Sequence, residues 1–300
     1  MKTNAIIRIV LFSLAILILL SIFTSVMAFR SFVIDLDESG IIDTVQEFFD
    51  VSESGAVRID GNGRSGEYDA TQIRDLEIEW VSGTIIIRAE DTNTIRFEES
   101  SVSNDKYQMV TKRSGDKLTL KFCEDNVANW GFGINASTDI SKDLVITVPR
   151  DWKCDTFEID TASARVEISD LQINEVDFDG ASGLCIFENC TVGEIDIDTA
   201  SGDVEFSGSL EALDFDAASA NFRGKLENTP SSLKMDTMSG DLDITLPEDC
   251  GFTATMDTMS GDFSSDFQTT ISNGNYSYGN GSCRISVNAM SGDVTIRKGQ

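Results

Sequence analysis

The sequence predicts an all-β chain: a parallel β-solenoid, or β-helix, with coils of about 20 residues. Three observations predict it. One phrase recurs along the chain, as "DGASGLCIF", "DTASGDVEF", "DTMSGDLDI", "DTMSGDFSS" and "NAMSGDVTI". Its recurrences are evenly spaced. Around each, apolar and polar residues alternate, and a period of two marks a strand with one buried face.

The serine of each phrase marks its repeat: Ser82, Ser163, Ser182, Ser201, Ser219, Ser239, Ser260 and Ser291. From Ser163 on, the markers are 18 to 21 residues apart, until a last step of 31. Such a period signals a repeat architecture. Six residues before the marker stand Leu76, Phe157, Val176, Ile195, Leu213, Leu233, Ala254 and Ile285. Four before stand Ile78, Ile159, Phe178, Ile197, Phe215, Met235, Met256 and Val287. Three after stand Ile85, Val166, Cys185, Val204, Phe222, Leu242, Phe263 and Val294. Each repeat therefore holds one strand before the Ser-Gly and one after it, and the Ser-Gly is the corner between them. Glycine tolerates backbone angles and close approach that other residues resist, although Ala164 and Ala220 take its place in two repeats. An antiparallel sandwich or a propeller also gives strands about ten residues apart. A propeller blade takes about 40 residues, so neighbouring repeats would differ, and here they do not.

The organisation along the chain follows. Residues 1–30 read as a transmembrane anchor or a signal segment. Ile9–Phe29 is 21 residues without a charge, which as a helix spans roughly 31 Å and matches a hydrocarbon core of about 30 Å. Lys2 and Arg8 precede it and favour a cytoplasmic N-terminus. The expected location is the cell membrane, single-pass, with the C-terminal domain outside. The alternative is secretion after cleavage near Val26-Met27-Ala28. Residues 31–71 read as a spacer, 72–148 as the N-terminal part of the β domain, and 149–300 as the solenoid repeats. The extra residues in the last step, "SNGNYSYGNGS", read as a hairpin insertion covering part of the final coil. The chain stops nine residues after Ser291, so a terminal coil with an open strand edge is expected there, with Arg297 and Lys298 discouraging pairing to another chain.

Composition limits function. The 300 residues carry a net charge of −28, and 41% of them are hydrophobic. Three of the 23 basic residues fall before residue 31, leaving 20 against 51 acids. Nucleic acid is excluded as a partner, because phosphate binding needs a basic surface. Histidine is absent, which removes Ser-His-Asp, Cys-His and His-ligated zinc chemistry. The six cysteines are not spaced as CxxC, so zinc ribbons and thioredoxin-type sites have no support. An external domain permits disulfides, but the sequence does not assign pairs.

One polar column carries the candidate site. Three before each marker stand Glu79, Asp160, Asp179, Asp198, Asp216, Asp236 and Asp257, then Asn288. Stacked at about 4.8 Å, like charges repel by about 0.9 kcal/mol per neighbour in water. Calcium is the candidate cation for the ladder Asp160, Asp179, Asp198, Asp216, Asp236 and Asp257, since its ligands are oxygens; no other cofactor is expected. Paired carboxylates also serve glycosidases, but here the acids are the repeat itself, so no enzyme is expected. Trp130 and Phe132, in the loop "CEDNVANWGFGINASTD", are candidate partner contacts.

The N-terminal apolar run, "LEIEWVSGTIII", "DLVITVP" and the serial "ASGDVEF" and "MSGDVTI" phrases resemble a bacterial family of β-strand-repeat proteins known as adhesin-like or as a domain of unknown function. The similarity spans residues 72 to 300. It implies an envelope protein with no assigned catalytic residues. Together with the N-terminal apolar run, the expected function is a membrane-anchored, external β-repeat domain that binds an envelope protein or cell-wall component. Self-association through coil edges is the alternative, and a carbohydrate-active β-helix enzyme a more distant one.

Overall fold

The computed structural model describes residues 64–100, 107–123 and 141–299. The apolar run Ile9–Phe29 and the aromatic pair Trp130 and Phe132 lie outside them. Among the described residues no helix is long and apolar enough to cross a membrane.

Strands make up most of the described residues, joined by short turns that include a 3-10 turn at Ala70–Gln72. The strands are β1 (Ser65–Asp69), β2 (Asp75–Glu90), β3 (Thr94–Glu99), β4 (Val110–Ser114), β5 (Lys117–Lys121), β6 (Leu144–Pro149), β7 (Lys153–Ser169) and β8 (Gln172–Ser219). They continue as β9 (Phe222–Leu226), β10 (Ser232–Ser239), β11 (Leu242–Leu246), β12 (Phe252–Ser260), β13 (Phe263–Ser265), β14 (Thr270–Ser272), β15 (Asn275–Tyr278), β16 (Cys283–Ser291) and β17 (Val294–Lys298). β8 runs unbroken through two of the marked corners, at Ser182 and Ser201, and ends at a third, Ser219.

Successive repeats pair in parallel and in register. Ser82 lies beside Ser163, Ile78 beside Ile159, and Ile159 beside Phe178. The three apolar columns point inward. Nearly every member is less than 4% exposed; Met256 and Phe263, in the coil at the C-terminal end of the stack, are half-buried. Identical offsets thus build one continuous core between the two strands of each coil, and each buried side chain of this size contributes roughly 1.5–3 kcal/mol.

The corner glycine is required by close approach. A Cβ on Gly240 would lie 1.8 Å from the carbonyl oxygen of Ala220 in the coil beside it, and one on Gly183 would lie 2.3 Å from that of Ala164. Gly183 also has a φ of +140°. Gly240→Ala is expected to lower stability by about 1–3 kcal/mol as the coils are forced apart. Urea unfolding checks this, and an unchanged midpoint would mean that neighbouring coils separate without cost.

The stack departs from sequence order at one end. β16 pairs with β10 on one side and with β12 on the other, both in parallel. Likewise β17 lies between β11 and β13. The repeat of Ser291 is therefore interior, which corrects the expectation of an open terminal coil there. Arg297 instead forms a bidentate bond to Asp243 at 2.9 Å. The inserted residues do form a hairpin: β14 pairs with β15, and β15 pairs antiparallel with β12. It covers the Ser260 coil, which lies outermost.

At the other end, β5 and β6 continue the two faces of β2 in parallel. Antiparallel β4 covers β5, and antiparallel β3 covers β6, followed by β1. β1 begins inside the stretch read as a spacer, so the β domain reaches back at least to Ser65. The strands closing both ends hold three to five residues each, and short edges resist pairing with other chains.

Candidate functional site: an acidic face

The column three before the marker forms a ladder on the outer face of the first strand of each coil. Glu79 lies beside Asp160, Asp160 beside Asp179, and Asp216 beside Asp236. The next partner of Asp236 is Asn288, whose Nδ2 donates to Asp236 Oδ1 at 2.6 Å; Asp257 lies beyond Asn288. The exchange of coils thus places an amide between the last two carboxylates. A second acidic column runs alongside, in which Glu77 pairs with Glu158 and Glu158 with Asp177, continuing through Asp196 to Asp214.

Lysines bound the stretch of this face between Glu77 and Asp236. Lys117 reaches Glu158 at 2.7 Å and Glu77 at 3.4 Å, and Lys121 reaches Glu79 at 2.6 Å. Lys234 bonds Asp214 at 2.7 Å and Asp236 at 3.0 Å. Burial works against the charge on Lys117 and Lys234, yet the surrounding carboxylates raise both above the ordinary lysine value. Between these ends, among the described residues, no lysine or arginine pairs with Asp177, Asp179, Asp196 or Asp198.

Desolvation, and after it the crowding of charges, raises the carboxyls of this face. Desolvation, followed by the charges of Asp179, Glu79, Glu77 and Asp177, pushes Asp160 up to about 6. Asp216 is also pushed to about 6, by desolvation first, with Lys234 opposing and Asp236, Asp214 and Asp198 adding to the rise. Asp179 and Asp196 are raised for the same reasons. Among the described residues no three acids or cysteines converge where they could hold one metal ion.

The six cysteines are free thiols and all are buried. Burial pushes Cys154 and Cys283 to about 12 and Cys190 and Cys250 to about 11, so at neutral pH they are not thiolate nucleophiles.

Two arrangements escaped the sequence reading. The first is a side-chain ladder along the corner two residues after the marker. Asp203 accepts from the backbone N–H of Asn221, Asn221 from that of Asp241, Asp241 from that of Asp293, and Asp293 from that of Asp262, all at 2.8–2.9 Å. From the Ser201 coil onward, the aspartate of "SGD", or Asn221 in its place, therefore ties neighbouring coils together. A shallow hollow of about 240 Å³ lies over this row, lined by Asn221, Arg223, Asp241, Asp243, Asp293 and Thr295 among others.

The second is a buried ion pair at the N-terminal end of the stack. The Nζ of Lys142 donates to Glu99 Oε2, to the carbonyl of Phe122, and to that of Tyr107 at 2.8 Å. Both side chains are fully buried. The ammonium lies 4.6 Å from the ring centre of Trp80 and 4.3 Å from that of Phe122, each a cation–π contact. Glu99 also accepts from the backbone N–H groups of Arg64 and Met109. Burial pulls Lys142 below the ordinary lysine value, while Glu99 favours the proton.

The family model of Toastrack DUF4097 matches residues 73–297, three quarters of the chain. The chain belongs to the Toastrack DUF4097 family. That match covers every coil described above, and the family resemblance read from the "SGD" phrases is therefore correct. Solved structures similar to the Toastrack chain include a "putative adhesin" from Bacteroides fragilis NCTC 9343. It is 12% identical with a TM-score of 0.48, over 81% of this chain and 99% of that one. A "putative cell adhesion protein" from Clostridium sporogenes ATCC 15579 is 11% identical with a TM-score of 0.39, over 79% and 99%. A "putative lipid binding protein" from Parabacteroides distasonis ATCC 8503 is 14% identical with a TM-score of 0.39, over 81% and 100%. No curated protein matches by sequence.

Proposed function

We propose that this Toastrack chain is a non-enzymatic, adhesin-like envelope protein. Its N-terminal apolar segment anchors it in the cell membrane, and its β-repeat domain faces outward and binds a cationic envelope protein or wall component. The supporting observation is the repeated acidic face: two columns of carboxylates, in which Asp177, Asp179, Asp196 and Asp198 stand between Lys117 and Lys121 on one side and Lys234 on the other. A rigid surface of one sign attracts partners of the other and rejects nucleic acid. The buried thiols and the structural use of the "SGD" aspartates leave these groups in architecture rather than chemistry. Self-association is the weaker reading, since the strands at both ends of the stack are short.

Co-sedimentation of the full chain, in mild detergent, with purified bacterial envelopes tests the proposal. Saturable binding that weakens as salt rises is expected. No binding at any ionic strength overturns it, and release of sugars from the envelopes would make the protein an enzyme instead.

A further inference from the structure

Five of the eight methionines fall between residues 235 and 290. Met235 and Met256 belong to the inner column, Met235 being buried and Met256 half-buried. The other three, Met238, Met259 and Met290, stand immediately before their markers and are 43%, 60% and 38% exposed. Among the described residues, four large hydrophobic side chains are exposed, and these are three of them. In the other repeats the same position holds Val81, Ala162, Ala181, Ala200 and Ala218.

The exchanged coil brings the three together. Thr237 lies beside Ala289 and Ser239 beside Ser291, which sets Met238 next to Met290. Thr258 lies beside Ala289 and Ser260 beside Ser291, which sets Met259 on the other side of Met290. The three side chains thus project from one corner of three adjacent coils, at a strand spacing of about 4.8 Å. Met is unbranched with three rotatable bonds, so sulfurs on this spacing can turn toward one ion.

We infer that Met238, Met290 and Met259 form a three-thioether site for a soft monovalent cation, of which Cu(I) is the type. Thioethers select soft metals over calcium or magnesium. The composition of the row favours a metal over an apolar partner. Its flanks are exposed Ser239, Ser260 and Ser291 rather than leucine, isoleucine or phenylalanine, so sulfur is the feature the three positions share. The acidic charge of the molecule draws cations towards it. Binding needs no oxidant or reductant when the ion arrives as Cu(I).

The test uses Ag(I), a redox-stable stand-in, added to the full chain in detergent with 13C-labelled methionine methyl groups. The resonances of Met238, Met259 and Met290, assigned by single Met→Leu variants, are expected to shift together and saturate at one ion per chain, with Met109 unmoved. Met290→Leu, which keeps an apolar side chain and removes the central sulfur, is expected to weaken binding by about tenfold or more, or about 1.4 kcal/mol. Following the methyl signals separates this site from any reaction at the buried thiols. Three resonances that do not move, or a Met290→Leu variant that binds as the parent does, overturn the site. A triple Met→Leu variant that still binds one Ag(I) per chain as the parent does would place the ion elsewhere, at the cysteines, and so would also overturn it.

Discussion

Lys142→Ala is expected to lower stability by about 3–5 kcal/mol, the usual result of removing one partner of a buried ion pair. The lost contacts are specific. Glu99 would keep a buried charge with only the backbone N–H groups of Arg64 and Met109 to answer it. The carbonyls of Phe122 and Tyr107 would lose the bonds that the ammonium donates to them. Trp80 and Phe122, 5.1 Å apart and edge to face, would enclose a void. Lys142→Met with Glu99→Gln should recover part of the loss, because the charge is removed on both sides while an acceptor remains for the backbone. Urea unfolding of the three proteins measures this. A Lys142→Ala variant within about 1 kcal/mol of the parent would mean that water reaches the pair.

The second large effect is an inverted dependence on pH. Asp160 and Asp216 titrate at about 6 in the folded chain against an ordinary 3.8. Between those values the folded state holds more protons than the unfolded state, so stability falls as pH rises through this window and grows as pH drops. The Tm is expected to be a few degrees higher at pH 5 than at pH 7.5. Below about pH 4 the sign reverses. Asp69, held down by Thr71, Asp155, held down by Arg74, and Glu248, held down by Lys298, then lose their partnerships. An Asp160→Asn, Asp216→Asn variant should melt higher at pH 7.5 and show a flatter profile. Calcium in the millimolar range should raise the parent Tm at pH 7.5 by relieving the same repulsion. A parent Tm that falls steadily from pH 7.5 to pH 5 would show that solvent screens the face completely, and a Tm indifferent to chelator would remove calcium.

Much of this architecture is legible in the residues because a period of two leaves little freedom. Leu76, Phe157 and Val176 share a column, and shifting any of them by one residue would turn its strand inside out. The order of the last coils is not legible in that way. "DTMSGD" and "NAMSGD" fit beside one another in any sequence, so the apolar pattern is satisfied whether Ser260 or Ser291 lies next to Ser239. Only the long final step marks the exchange. The ion pair is hidden for a different reason. Lys142 reads as an ordinary polar residue leading into "DLVITVP", and its burial depends on Glu99 and Trp80, 43 and 62 residues away. The acidic column is visible residue by residue, but its raised carboxyls depend on cross-coil neighbours and on where Lys117, Lys121 and Lys234 fall.

The exchanged coil also sets an order of events in folding. Chains fold from the N-terminus as they are made, and coils up to β10–β11 can each dock on a neighbour already in place. The coil of β12 and β13 cannot, because the surface it docks on belongs to β16 and β17, which are synthesised after it. For that interval the nascent chain carries an unfinished face, the edge of β10, bearing the same register pattern that β12 presents. Two copies emerging side by side would offer each other the strand that each is waiting for. Residues 283–298 are therefore a keystone: they choose between a closed monomer and an exchange of coils between neighbours.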